Sequence, residues 1–206
     1  GIFYGKGEVC AAGSRLFVEA SIKDEFMEQL TSKAAGMTVG DPNHPKTRLG
    51  AIVSKGQHER VLSYIEAGIA EGATLRTGGP AATVDGRGYF VEATVFDDVK
   101  PDMKIAREEI FGPVLATLAF DVMDDAVAQA NQTIYGLAAG VWTRDVGKAH
   151  RFARAVRAGT VWVNTYNRYD PGSPFGGFKQ SGFGRDLGER ALEEYTQTKS
   201  VWVALD

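Results

Sequence analysis

Residues Val114–Thr143 read VLATLAFDVMDDAVAQANQTIYGLAAGVWT: an aliphatic and β-branched run, an amphipathic stretch, then a second apolar run. The first, Val114 to Phe120, predicts a strand. Val122 to Ala130 predicts a helix, because its apolar residues recur at helical spacing, and Leu137 to Thr143 predicts a buried strand. The alternation continues in both directions. Upstream, Arg15 to Glu19 reads as a strand, and Ser21 has the form of an N-cap for a helix carrying Ile22, Phe26, Leu30 and Ala34 up to Gly36. Ser54 opens a second helix with the stripe Val61, Tyr64, Ile65 and Ile69, stopped by Gly72. Strands at Ala73 to Arg76 and Tyr89 to Phe96 flank a Gly/Pro/Asp-marked loop over Gly78 to Arg87. Downstream come a helix over Asp145 to Ala158, a strand at Thr160 to Asn164, a short helix at Leu187 to Tyr195, and a strand at Ser200 to Leu205. Strands alternating with helices are the pattern of an α/β layered domain.

Composition narrows the function. The 206 residues carry 23 basic and 26 acidic side chains, a net charge of −3, with no basic block or stripe, so a nucleic-acid or anionic-membrane surface is not expected. With one cysteine and three histidines, no metal-ligand cluster is expected, and an intramolecular disulfide is impossible. No apolar run reaches membrane-spanning length, and no charged-then-apolar leader opens the chain, which gives a cytoplasmic, reducing setting as the expectation. Glycine is in excess, 25 residues scattered singly and in pairs, and reads as turns and close backbone approaches. The glycine- and proline-rich segment Tyr166 to Gly184 reads as an irregular loop, and loops of that length in a compact domain are usually functional.

Taken alone, Cys10 reads either as an inert buried thiol or as a nucleophile. Its setting, Phe3-Tyr4-Gly5-Lys6-Gly7-Glu8-Val9-Cys10-Ala11-Ala12-Gly13-Ser14-Arg15, resembles the active-site cysteine segment of the aldehyde dehydrogenase superfamily. The likeness recurs in order along the chain. Glu108-Glu109-Ile110-Phe111-Gly112-Pro113-Val114 resembles the family's cofactor-ribose segment, and Tyr135 to Val141 resembles its buried strand. Gly159-Thr160-Val161-Trp162-Val163-Asn164 and Ser173 to Gly182 resemble its substrate-side strand and loop.

The resemblance implies a three-layer αβα catalytic domain over 1–198, with an oligomerisation strand over 199–206, and a homo-oligomer. It implies oxidation of a small-molecule aldehyde with NAD or NADP, the Cys10 thiolate passing through a thiohemiacetal and a thioester. Chemistry of that kind needs an oxyanion donor, and the backbone N–H of Cys10 is the one this stretch supplies. By the same carry-over, Glu109 holds the cofactor ribose, Phe111 packs beside the nicotinamide, and Gln57 and Arg60 lie on the ribose side. Tyr169 and Phe175 match an aromatic collar around the aldehyde. Arg168 beside them either steers an anionic aldehyde or faces solvent. Asn164 either reaches the active-site loops or ends its strand with hydrogen bonds.

The chain begins nine residues before Cys10, whereas the family's dinucleotide-binding domain precedes that cysteine. Residues 1–206 are therefore expected to lack the hydrolytic base, the second oxyanion donor and most of the cofactor site, and to be unable to complete turnover alone. Glu8 stands where the family commonly has glutamine; it could raise the thiol pKa or accept a proton, but is not read as a replacement base. Two other readings follow from the same residues: a cofactor-free cysteine esterase or acyl hydrolase using Glu8 or a histidine, and a non-enzymatic assembly module built on the apolar C-terminal strand.

Overall fold

A computed structural model describes residues 1–206. In chain order its elements are β1 (Arg15–Glu19), α1 (Lys23–Ala35), α2 (Lys55–Ala70), β2 (Thr74–Thr77), β3 (Ala81–Val84), β4 (Arg87–Val91), β5 (Thr94–Asp97) and α3 (Lys104–Arg107). There follow β6 (Val114–Phe120), α4 (Met123–Asn131), β7 (Tyr135–Gly136), β8 (Ala138–Val141), α5 (Val146–Ala155), β9 (Thr160–Val163), β10 (Phe178–Lys179) and α6 (Leu192–Tyr195).

The central sheet runs β1-β6-β5-β2. β6 lies between β1 and β5 and is parallel to both, while β2 closes the far edge antiparallel to β5. β6 is buried over Val114 to Leu118, and its side chains divide by the period of two. Val114, Ala116 and Leu118 join Phe96, Val61, Tyr64, Ile65 and Ile105 in a core beneath α2 and α3. Leu115 turns to the other face and joins Val95, Met27 and Ala34 beneath α1. Helices on both faces of one sheet make the three-layer αβα arrangement, and explain why β6 is an unbroken apolar run and not an alternating one. Each fully buried Val, Leu or Phe contributes about 1.5–3 kcal/mol, so β6 and β5 anchor both layers at once.

Three smaller pairs surround this sheet: the β3–β4 hairpin, the parallel pair β8–β9, and the antiparallel contact β7–β10. Ser54 caps α2 by accepting from Gln57 N–H at 3.2 Å, and Asp145 caps α5 by accepting from Lys148 N–H at 2.9 Å. No helix is long and apolar enough to cross a membrane.

Several elements differ from the sequence reading. Ser21 is not a cap; a 3-10 turn over Ala20–Ile22 intervenes, α1 starts at Lys23, and the Ser21 hydroxyl donates to Glu19. The strand read over Tyr89 to Phe96 is two, because β4 pairs with β3 while β5 enters the central sheet. β3 accordingly falls inside the predicted Gly78–Arg87 loop. α5 ends at Ala155, where Val156 turns extended, and the helix over Leu187 to Tyr195 is a 3-10 turn followed by α6. Residues 196–206 pair with nothing in this chain, so the strand read at Ser200–Leu205 is not formed here. A strand needs an edge to bond to, and this segment bonds to none of the sheet edges in the chain. Trp202 and Leu205 are 94% and 96% exposed.

Candidate active site

Cys10 lies on a turn between a short 3-10 segment and β1, and its thiol is exposed. The turn is shaped by three successive residues in the left-handed region, Gly5, Lys6 and Gly7, with φ of 57°, 63° and 73°. Gly7 is required twice over: besides its φ, a Cβ there would sit 2.1 Å from the Gly112 carbonyl oxygen. Ala12 N–H donates to Val9 at 2.9 Å and closes the turn around Cys10, whose own N–H donates to no group of the chain.

Glu8 is buried, its side chain 7% exposed. It accepts from Val53 N–H at 3.1 Å and lies 3.0 Å from the Lys6 ammonium. No histidine is bonded to the residues of the turn. His58 Nε2 is 3.1 Å from the Phe90 carbonyl, His44 accepts from Lys46 N–H, and His150 is exposed on α5.

On the other side of the thiol stands an aromatic group. The Tyr166 hydroxyl donates to the Ala11 carbonyl at 2.9 Å, and its ring packs against Trp162 and Trp142 with centroids 4.7 Å and 6.2 Å apart. Trp162 is buried at the end of β9, and its indole N–H donates to the Arg168 carbonyl at 2.7 Å, fixing the loop that follows. Tyr169 meets Trp162 edge-on at 5.6 Å and Phe175 edge-on at 5.3 Å, the arrangement that ring quadrupoles favour. Phe175 is held in place by a two-way backbone pair with Asp186. Burial, and secondarily the Cys10 charge, raise the Tyr169 pKa above its ordinary value. Burial pushes Tyr166 up to about 12, so its hydroxyl remains a donor.

The segment Glu108–Gly112 lies along one face of α2. Gln57 Nε2 donates to the Ile110 and Phe111 carbonyls at 3.1 Å and 2.9 Å, Arg60 to the Glu109 carbonyl at 2.9 Å, and the Tyr64 hydroxyl to Glu108 at 2.8 Å. Val61 packs so closely on Gly112 that a Cβ there would lie 2.5 Å from it. Residues 57, 60, 61 and 64 share one helical stripe, so α2 holds the whole segment, including Phe111 at φ 58°. The Glu109 side chain is exposed.

The structure thus gathers Cys10, Tyr169 and Phe175, and separately gathers Glu109, Phe111, Gln57 and Arg60. The two groups meet where Gly7 touches Gly112. Gln57 and Arg60 direct donors at backbone carbonyls. Arg168 is exposed, its guanidinium without a partner in the chain, and Asn164 forms a reciprocal clamp with the Thr143 N–H and carbonyl, both at 2.9 Å. The sequence reading singled out neither Tyr166 nor Trp142 for the site, and took Tyr64 only as part of the apolar stripe of α2. Only their aromatic character signalled them, and their partners lie 155, 24 and 44 residues away. A cavity of about 450 Å³ lined by Arg15, Arg107 and Gln129 includes none of these residues; the thiol lies on an open surface.

Comparison with known proteins identifies the family. The model of the aldehyde dehydrogenase family matches residues 1–201. A betaine aldehyde dehydrogenase of Agrobacterium fabrum is 52% identical over 205 residues, 99% of this chain and 42% of the relative. An aldehyde dehydrogenase of Bacillus cereus, solved as an NAD+ complex, superposes with a TM-score of 0.95 at 48% identity over 100% of this chain and 42% of that one. An indole-3-acetaldehyde dehydrogenase of P. syringae, solved with NAD+ and IAA, gives a TM-score of 0.94 at 50% identity over 99% and 41%. The chain therefore spans about 42% of the length of the relatives it matches. Fold, ordered motifs and comparisons agree that the chain belongs to the aldehyde dehydrogenase family.

Proposed function

We propose that residues 1–206 form the cysteine-bearing catalytic portion of an NAD(P)-dependent aldehyde dehydrogenase, with Cys10 as nucleophile. The observation that carries this reading is the exposed Cys10 thiol on a pinned turn, its N–H unpartnered, beside the edge-on pair Tyr169 and Phe175. The thiolate adds to the aldehyde carbon, and the Cys10 N–H stabilises the oxygen that becomes anionic. Tyr169 and Phe175 offer apolar edges to the aldehyde side chain, and the unpaired Arg168 at the rim favours a substrate with a distal anion.

Glu109 and Phe111 fit the cofactor. The carboxylate is free to accept ribose hydroxyls, and α2 fixes the backbone on both sides of it. Gln57 and Arg60 support that segment from beneath. NAD or NADP, when bound, would supply the hydride acceptor at this segment; Cys10 would hold the substrate first as thiohemiacetal and then as a thioester, which water would hydrolyse to the acid and the free thiol. Glu8, the carboxylate two residues before Cys10, is committed to Lys6 and Val53, and no base for that water is assigned within residues 1–206. The 206-residue chain is accordingly proposed not to complete turnover by itself, and the same commitment of Glu8 weighs against a cofactor-free esterase. The thiol requires a reducing compartment, in keeping with a cytoplasmic setting, and residues 199–206 are proposed to assemble the homo-oligomer.

The test is made on the 206-residue chain and its Cys10→Ala variant. Aliphatic, aromatic and carboxylated aldehydes are expected to protect Cys10 from iodoacetamide, with no NAD or NADP reduction above the variant. Absence of protection by every aldehyde would overturn Cys10 as nucleophile. Reduction above the variant would overturn the incapacity of the chain.

A further inference from the structure

Cys10 is flanked by two long-range anchors. On its C-terminal side the Tyr166 hydroxyl holds the Ala11 carbonyl. On its N-terminal side Glu8 accepts from the N–H of Val53, the residue just before the Ser54 cap of α2. Between them only the Ala12–Val9 hydrogen bond constrains Val9 and Cys10. The segment Gly5–Gly7 that leads in is entirely left-handed, a conformation disfavoured at Lys6, and the Lys6 ammonium faces the Glu8 carboxylate at 3.0 Å. A buried carboxylate without a job would be expelled or neutralised. This one joins the cysteine turn to the helix that also carries Glu108–Gly112.

We propose that Glu8 is a positioning residue for catalysis at Cys10: by accepting from Val53 N–H, with Tyr166 as the opposing anchor, it aims the unpartnered Cys10 N–H at the oxygen of the attacked carbonyl. Glu8 touches neither substrate nor cofactor. It acts through the backbone of the turn, and ties the position of the nucleophile to α2 and thus to the segment of Glu109 and Phe111. What the turn requires from residue 8 is an acceptor oxygen. A glutamine there supplies one, whereas an alanine leaves the Val53 N–H without its partner.

The inference rests on the reading of Cys10 as nucleophile, and its test separates the two. The 206-residue chain is acylated with 4-nitrophenyl acetate. The Cys10 sulfur attacks the ester carbonyl and forms the S–C bond, the C–O bond breaks to release 4-nitrophenolate, and the thiol proton passes to solvent. That attack builds an oxyanion and needs an aimed N–H. Alkylation by iodoacetamide displaces iodide without an oxyanion, and reports only thiolate and access. Cys10 is the single cysteine of the chain, so both reactions report one sulfur.

Glu8→Ala is expected to slow the acylation burst on the order of 10-fold or more while alkylation stays within about 2-fold; Glu8→Gln is expected to restore the burst. Tyr166→Phe, which keeps the ring and removes the donor, is expected to show the same split and serves if Glu8→Ala does not fold. Equal loss of both reactions in a folded variant, an unchanged burst in Glu8→Ala, or a Glu8→Gln burst as slow as that of Glu8→Ala overturns the inference alone. A wild-type burst no larger than that of Cys10→Ala overturns the nucleophile reading, and this inference with it.

Discussion

Gly7 and Gly112 approach so closely that residue 7 has no room for a Cβ, which would lie 2.1 Å from the Gly112 carbonyl oxygen. This contact joins the turn of Cys10, the proposed nucleophile, to the segment along α2 proposed to meet the cofactor. The closest approach of the two segments is therefore set by backbone against backbone, while the Glu8 side chain ties the same turn to the start of α2.

Gly7→Ala is the direct test of that contact. The substitution forces both a left-handed alanine and a backbone clash, and is expected to destabilise the chain by about 2–4 kcal/mol. Urea unfolding monitored by tryptophan fluorescence reads it. A midpoint within error of wild type means that the close approach is not made.

Gln57→Ala removes both amide donors from the Ile110 and Phe111 carbonyls and should cost about 1–2 kcal/mol. Because the lost bonds are local to one segment, amide hydrogen exchange is expected to quicken at Gly112 and Val114 and to stay unchanged in β5. Uniform acceleration throughout the sheet would show that Gln57 supports the global fold instead.

The alkaline limb of stability is expected to belong to Tyr166. Its pKa is raised to about 12 in the folded state by burial, so the folded chain holds the phenol proton more tightly than the unfolded chain does. Stability from this group is complete below the unfolded value of about 10 and is lost as pH rises towards 12. Tyr166→Phe should lose about 1 kcal/mol at neutral pH for the missing hydrogen bond and flatten that limb. An unchanged limb in the variant would assign it to another group.

At acid pH the relevant cluster joins α1 to the end of β5. Lys23 faces Asp97 at 3.0 Å and also Asp98, and the Lys23 hydrogen bond holds the Asp98 carboxyl below its ordinary pKa. A depressed carboxyl stabilises the fold above the unfolded value of about 4, and that contribution fades as pH falls through the folded one. Lys23→Met leaves the buried Asp97 with the half-exposed Arg76 at 3.6 Å and the Asp98 N–H, and is expected to cost about 1–3 kcal/mol at pH 7. Asp98→Asn should cost far less and shallow the loss of stability below about pH 4. Equal losses at pH 7 for the two variants would contradict this division of labour.

The exposed alternation of Val201, Trp202, Val203 and Leu205 is a pairing template. The chain is expected to self-associate with rising concentration in size-exclusion chromatography, and a chain ending at residue 199 to elute as a monomer at every concentration. A monomeric wild type at high concentration counts against assembly through this segment.

Local pattern was legible where local physics decides. β6 is a continuous apolar or β-branched run, β1 has the apolar centre Leu16–Val18, and the caps Ser54 and Asp145 act within three residues of their own positions. The division of Tyr89–Phe96 into β4 and β5 was not legible. Its residues suit a strand throughout, and only the choice of partner, β3 for one part and β6 for the other, breaks it. Ser21 had the right chemistry for a cap, but the 3-10 turn delayed the helix past it. At the proposed site, Cys10, Glu109, Phe111, Tyr169 and Phe175 were singled out from the family resemblance, whereas Tyr166 and Tyr64 were not. A hydroxyl that bonds to a carbonyl 155 residues away leaves no trace in its neighbours.

The amino-acid order by itself determined the α/β class and the family, and pointed to the residues proposed for reactive or recognition chemistry, because periodicity, capping and motif spacing are properties of short stretches. Tertiary structure alone decided what those residues do to one another. It committed Glu8 to Lys6 and Val53, turned the Gln57 and Arg60 donors onto the backbone of Glu109–Phe111, and left Ser200–Leu205 without a ladder. Partner choice depends on which surfaces packing brings together, and hydrogen bonds form only with groups that arrive within about 3 Å.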